Sequence, residues 1–125
     1  MILDTNAVSA LAERDKKLLK VISESDSLAL SFIAHAEFRY GLLGSSRPDA
    51  GKKLLEALAR TIPLLLPDSE TIEHYAWIAD QLKRNGRPIP TNDLWIAALA
   101  RQHTLPILSQ DRHFDHIPNI TRRSW

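Results

Sequence analysis

"MILDTN", residues 1–6, sets three apolar residues ahead of an acid, a hydroxyl and an amide. A run of that kind reads as a short buried strand, which leaves Asp4 where the chain exits it. The pattern returns in "LALSF" at 28–32, "PLLL" at 63–66 and "LPIL" at 105–108, and more weakly at 119–121. Between these runs, helical spacing covers 5–12, 15–24, 33–44, 49–61, 69–84 and 93–103. Short apolar strands alternating with helices predict an α/β fold, a three-layer α/β/α sandwich around a short-stranded, mainly parallel sheet.

The bulk properties agree. A chain of 125 residues, 44% hydrophobic and 25% charged, buries one core and is too short to divide into two, so residues 1–125 are expected to form a single domain. The net charge of +1 gives no general electrostatic claim on nucleic acid, so any such claim must come from a site. Without cysteine, disulfides and thiolate metal sites are excluded, and oxygen and imidazole remain as ligands. Asp4 interrupts the N-terminal apolar run at once, and no run approaches the roughly 18 residues of a membrane span. A cytoplasmic protein with no membrane partner is expected.

Ligands of a parallel sheet bind beyond the carboxyl ends of its strands. Asp4 follows the first strand and Asp111 follows "LPILS", so parallel strands carry both to one edge. Each also has a plain structural use, Asp4 as a helix cap and Asp111 in a turn. Glu37 in "FIAHAEFRYGLL" has Ile33, Ala34, Tyr40 and Gly41 as its helical neighbours, so it leaves a mostly apolar stripe and must be paired, protonated or coordinating. Asp93 opens "TNDLWIAALA", an apolar helix, where it suits the helix dipole while Thr91 or Asn92 serves as cap. Asp68 after "PLLLP" is a strand-end acid of the simpler sort, a cap.

Four segments together, "ILDTN" at 2–6, "AEFRYG" at 36–41, "NDLWIAA" at 92–98 and "SQDRHFDHIP" at 109–118, resemble in order and spacing the motifs of PIN-domain ribonucleases, and among them the VapC toxins of bacterial toxin-antitoxin pairs. The resemblance covers essentially the whole chain. It implies catalytic roles for Asp4, Glu37, Asp93 and Asp111, with Asp4, Asp93 and Asp111 holding metal. It implies supporting or substrate-contacting places for Thr5, Asn6, Asn92, Ser109, Arg112 and Asp115. Ser109 stands where the family often has threonine, and Asp115 competes with Asp111 for the last acidic place; Asp111 is preferred because it follows the strand directly. The resemblance also implies a PIN-like fold, a homodimer, and a VapB-type antitoxin that blocks the site, forms a higher heteromer with the toxin and makes any DNA contact.

The chemistry asked of the acids follows from electrostatics. Two carboxylates about 4 Å apart repel by about 4 kcal/mol at an effective dielectric of about 20, so three or four need protons or a cation. Oxygen donors without sulfur select Mg²⁺ or Mn²⁺. Such an ion acidifies water and stabilises a departing oxygen, which makes hydrolysis of an RNA phosphodiester the expected reaction. His35, His74, His103, His113 and His116 offer a metal-independent alternative, but are read as surface or turn residues. Arg39, Lys83, Arg84, Arg87, Arg112, Arg122 and Arg123 are candidates for phosphate contact, Arg112 foremost. Leu11, Leu18, Leu19, Leu42, Leu43, Leu54, Leu55 and Leu58 exceed what one thin face needs, and the surplus suits an antitoxin helix. Two other functions fit parts of the pattern: a Mg²⁺-dependent phosphatase using Asp4, and a non-catalytic binding module whose acids are caps.

Overall fold

The computed structural model describes all 125 residues. Five strands, β1 (Ile2–Leu3), β2 (Ala29–Ser31), β3 (Leu64–Leu65), β4 (Ile107–Leu108) and β5 (Arg122–Arg123), form one sheet in the order β3-β2-β1-β4-β5. Every pairing is parallel. Six helices accompany it: α1 (Thr5–Ala12), α2 (Lys16–Ser23), α3 (Phe32–Leu43), α4 (Asp49–Thr61), α5 (Ser69–Arg84) and α6 (Thr91–His103), with a 3₁₀ turn at Arg112–His116. No helix is long and apolar enough to cross a membrane.

Alternation along the strands builds the layers, because successive side chains leave a strand on opposite faces. Ile2 and Ile107 join Ile78, Leu82, Ile96, Leu99 and Phe114 in a core beneath α5 and α6. Leu3, Leu30 and Leu108 join Val8, Leu18, Ala34 and Leu58 in a second core beneath α1 to α4. The result is the α/β/α sandwich expected. Helix α6 is apolar almost all round, with Leu94 and Ile96–Ala100 buried, since it lies between the sheet and α5.

The fifth strand lies at Arg122–Arg123, not at 119–121. Ile120 marks a core contact, packed against the cluster beneath α5 and α6, and Asn119 turns the chain with φ 62°. The pairing falls to charged residues because β5 is a sheet edge, where charge discourages pairing with other chains. Of the surplus leucines, Leu18, Leu55 and Leu58 are core, while Leu43 beside Tyr40 is exposed. Tyr75 and Trp95 stack at 4.4 Å, and Arg101 lies 3.9 Å over Trp77.

Asp68 is a cap, as expected: its carboxylate accepts from the Glu70 and Thr71 amides, completing a capping box at the start of α5. Asp68→Ala therefore serves as an acid-removal control. It should lower the melting temperature modestly and leave divalent-cation binding unchanged, as read by thermal melts and calorimetry; lost binding would contradict its purely capping role.

The chain order places the site. From β1 the sheet grows through β2 and β3 in one direction, and β4 then returns to the other side of β1. The loops leaving β1 and β4 therefore diverge and open a crevice at their carboxyl ends.

Candidate active site

Asp4 leaves β1 at that reversal. Leu3 is in register with Leu108, and the Asp4 amide donates to the Leu108 carbonyl at 3.2 Å, so Ser109 emerges beside it. Asp4 is only 4% exposed, yet both its oxygens are satisfied. Oδ1 accepts from the Thr5 amide at 2.7 Å, and Oδ2 accepts from the Ser109 hydroxyl at 2.6 Å and from Asn6 Nδ2 at 3.0 Å. Asn6 Nδ2 also donates to Ser109 Oγ at 3.0 Å, Asn6 Oδ1 accepts from the Gln110 amide at 3.1 Å, and Ser109 Oγ accepts from the Asp111 amide at 2.9 Å. The first and last motifs thus form one hydrogen-bonded unit.

Glu37 enters from α3, whose start is capped by the Ser31 side chain at the end of β2. The Thr5 hydroxyl donates to Glu37 Oε1 at 2.9 Å and ties α3 to α1. This is the partner that an acid leaving an apolar stripe requires. Asp93 enters from the first turn of α6, and Asp111 caps the 3₁₀ turn by accepting from the His113 amide at 2.9 Å. His113 Nδ1 then lies 3.1 Å from Asp111 Oδ1 and 3.2 Å from Asp93 Oδ2.

Asp4, Thr5, Asn6, Glu37, Asp93 and Asp111 line one cavity of about 440 Å³ together with Ser9, Ala10 and Glu13. Five of these nine are carboxylates, and no lysine or arginine is among them. The four acids expected are brought together. Asn92, Arg112 and Asp115 are exposed and do not line it. Asp115 is held elsewhere, in a two-pronged pair with Arg122 at 2.7 and 2.9 Å, and that guanidinium keeps its carboxyl below the usual range. Arg122 also donates to the Ser109 carbonyl at 3.1 Å, so it braces β4. Arg84 pairs with Asp80, and Arg87 with His116, leaving fewer free cations than the sequence suggested.

Ser9, Ala10 and Glu13 line the cavity unforeseen, and His113, read as a surface or turn residue, stands against Asp93 and Asp111. Ser9 and Glu13 follow Thr5 and Asn6 along one face of α1 and its end, a spacing that could have revealed them. His113 had no such signal, since its placement depends on the 3₁₀ turn.

Burial pushes the Asp4 carboxyl above its ordinary value, and Glu37 and Asp111 add repulsion, against the lowering effect of the Ser109 and Thr5 hydrogen bonds. Asp93 is raised too, first by burial and then by Asp111 and Asp4, with the His113 hydrogen bond opposing. Carboxylates crowded at one cavity, with Asp93, Asp111 and His113 each offering a donor atom within 4.8 Å of the others, form a donor set that fits a divalent cation.

The raised values fix a sign. An acid whose folded pKa exceeds its unfolded one contributes stability that is fully present below the unfolded pKa and is lost as pH rises through the folded one. Ionised Asp93 therefore opposes folding at neutral pH when no cation is bound. In chelator, Asp93→Asn should melt at a higher temperature than wild type at pH 7, and the gap should narrow as the pH falls and Asp93 takes up its proton. A lower melting temperature for the variant at pH 7 would contradict this. Added Mg²⁺ at about ten times its dissociation constant should stabilise wild type alone, by about 1.4 kcal/mol.

Comparison with known proteins accords with the geometry. The model of the family described as PIN domain matches residues 1–120. Ribonuclease VapC1 of Haemophilus influenzae strain R2866 is 32% identical over 129 residues, spanning 99% of this chain and 96% of that protein. Ribonuclease VapC5 of Mycobacterium tuberculosis is 30% identical over 118 residues, spanning 90% of this chain and 84% of its own. Among solved structures, VapBC-1 from nontypeable Haemophilus influenzae superposes with a TM-score of 0.85 at 30% identity, covering 99% of this chain and 96% of that one.

Proposed function

Because this chain belongs to the PIN domain family, we propose that it is a divalent-metal-dependent endoribonuclease, the VapC-type toxin of a toxin-antitoxin pair. The observation that carries this reading is the convergence of Asp4, Glu37, Asp93 and Asp111, from four separated segments, on one cavity. Relatives at 30% and 32% identity are named as ribonucleases, which supports RNA as the substrate.

Asp4, Asp93 and Asp111 would hold the ion, Mg²⁺ or Mn²⁺. When bound, it supplies an acidified water and positive charge at the scissile phosphate. Glu37 acts on the attacking water: the Thr5 hydroxyl holds Oε1, which leaves Oε2 to accept a hydrogen bond and then a proton. The water oxygen forms the new P–O bond as a ribose oxygen leaves with its electron pair and takes a proton from solvent. Asn6 and Ser109 keep the Asp4 carboxylate aimed, so that no reorganisation accompanies charge development. Arg112, on the turn after Asp111, contacts an incoming phosphate and offsets the cavity's negative field. Asn92 and Asp115 act at the rim, through substrate contact and by bracing.

A cognate VapB-type antitoxin would cover the site and make any DNA contact, in keeping with the solved VapBC-1 pair and with this chain's net charge of only +1. The toxin would be a cytoplasmic homodimer within a larger heteromer. The test is incubation of untagged, antitoxin-free protein with mixed single-stranded RNA and Mg²⁺ or Mn²⁺, beside an EDTA control and Asp4→Asn. Cleavage lost in both controls is expected; equal behaviour of wild type and variant would refute the reading.

A further inference from the structure

We propose that His113 supplies a nitrogen ligand, alongside Asp93 and Asp111, to the divalent cation, making the centre a mixed oxygen and nitrogen site. This deepens the reading above and rests on it.

The placement of the ring is built into the fold. Phe114 is fully buried in the core beneath α5 and α6, and Asp111 accepts from the His113 amide at 2.9 Å. The 3₁₀ turn is thereby pinned on both sides of His113, and its imidazole is directed back towards α6. Nδ1 ends 3.1 Å from Asp111 Oδ1 and 3.2 Å from Asp93 Oδ2, and one donor atom from each of the three residues lies within 4.8 Å of the others. Ligands at right angles around a cation, each at about 2.1 Å, stand about 3.0 Å apart. The two distances from Nδ1 therefore match the spacing of adjacent ligands around one cation.

Hydrogen bonding alone is the competing use of those distances, with Nδ1–H shared between two carboxylates. The two uses have different consequences. As a mere donor, the ring must yield when a cation takes the carboxylate oxygens, whereas as a ligand it stays and contributes its lone pair. A nitrogen ligand also alters selectivity. Mg²⁺ binds oxygen almost exclusively, while Co²⁺ and, less strongly, Mn²⁺ accept imidazole, and affinity at a nitrogen-containing site rises from Mn²⁺ to Co²⁺. Two of the other histidines are engaged away from the cavity, His74 with Arg101 and His116 with Arg87.

The experiment is electron spin-echo spectroscopy of untagged protein loaded with one equivalent of Mn²⁺, beside His113→Ala and Asp93→Asn, with calorimetry of Co²⁺ and Mg²⁺ binding. His113 has a half-exposed side chain, so its truncation should leave the fold intact, which circular dichroism checks. Imidazole nitrogen modulation is expected in wild type and not in His113→Ala. The same variant should bind Co²⁺ about 10-fold more weakly and Mg²⁺ within about 2-fold of wild type. Mn²⁺ bound without nitrogen modulation in wild type, or with unchanged modulation in His113→Ala, overturns this proposal and leaves the acidic metal site standing. Absence of saturable Mn²⁺ binding, or equal binding by Asp93→Asn, overturns both.

Discussion

Asp93→Asn is expected to slow RNA cleavage by about 10²- to 10³-fold, a loss of about 2.7 to 4 kcal/mol of transition-state stabilisation, while the protein remains folded. The substitution keeps the shape of the side chain, and an amide oxygen still accepts a hydrogen bond from His113. What disappears is one negative charge facing Asp111 and Asp4 across the cavity. Its favourable interaction with the α6 dipole, worth about 0.3 to 1 kcal/mol, goes too, but relief of carboxylate repulsion opposes that loss. The effect should therefore fall on cation affinity and turnover, with no loss of folding stability. Single-turnover cleavage at saturating metal, with circular dichroism beside it, separates the two. Near-wild-type cleavage by a folded variant would remove Asp93 from the chemistry.

The largest effect on stability is expected at Phe114. It is among the largest fully buried side chains, packed with Ile2, Ile107 and the α6 residues, so Phe114→Ala should destabilise the protein by about 3–5 kcal/mol. Against a total of about 5–15 kcal/mol for a domain, that is a substantial fraction. The turn that carries Asp111 and His113 loses its anchor in the same step, so divalent-cation affinity should fall with stability. Phe114→Leu, which refills most of the volume, should recover much of both. Urea titration gives the stability and calorimetry the affinity; a loss under about 1 kcal/mol for the alanine variant would mean that the core closes over the gap.

The difference between Asp111 and Asp115 shows what a linear chain does and does not reveal. The two acids are four residues apart in one loop, and it is Asp111, the one nearer β4, that lines the cavity. That Asp115 instead pairs with Arg122 depends on β5 running beside β4, and β5 was legible only as a weak run, placed at 119–121. Its residues are two arginines at a sheet edge, without the apolar signature that exposed β1, β2 and β4. The layers and the parallel sheet were readable because buried strands must be apolar and helices must show a stripe. Asp4, Asp93 and Asp111 could be anticipated at one cavity because strand ends and helix starts converge at one edge, and Glu37 because it leaves an apolar stripe in the middle of α3. His113 could not, because a single 3₁₀ turn, pinned by Phe114, decides where its ring points. The exposed Leu43 on α3 was anticipated only within an excess of leucines, and the exposed Tyr40 was read as part of an apolar stripe, since burial depends on which helix covers which.

The most direct measurement is the chemistry of the ends left on cleaved RNA. Water attack at an acidic metal centre leaves linear phosphate and hydroxyl ends, whereas a histidine acid-base mechanism working through the ribose hydroxyl leaves a 2′,3′-cyclic phosphate and needs no metal. Mass spectrometry of products made by untagged protein with Mg²⁺ or Mn²⁺ should find linear ends only, and none at all after EDTA. Cyclic phosphate ends that persist in chelator would contradict the account, because the converging acids would then not be the centre that cuts RNA.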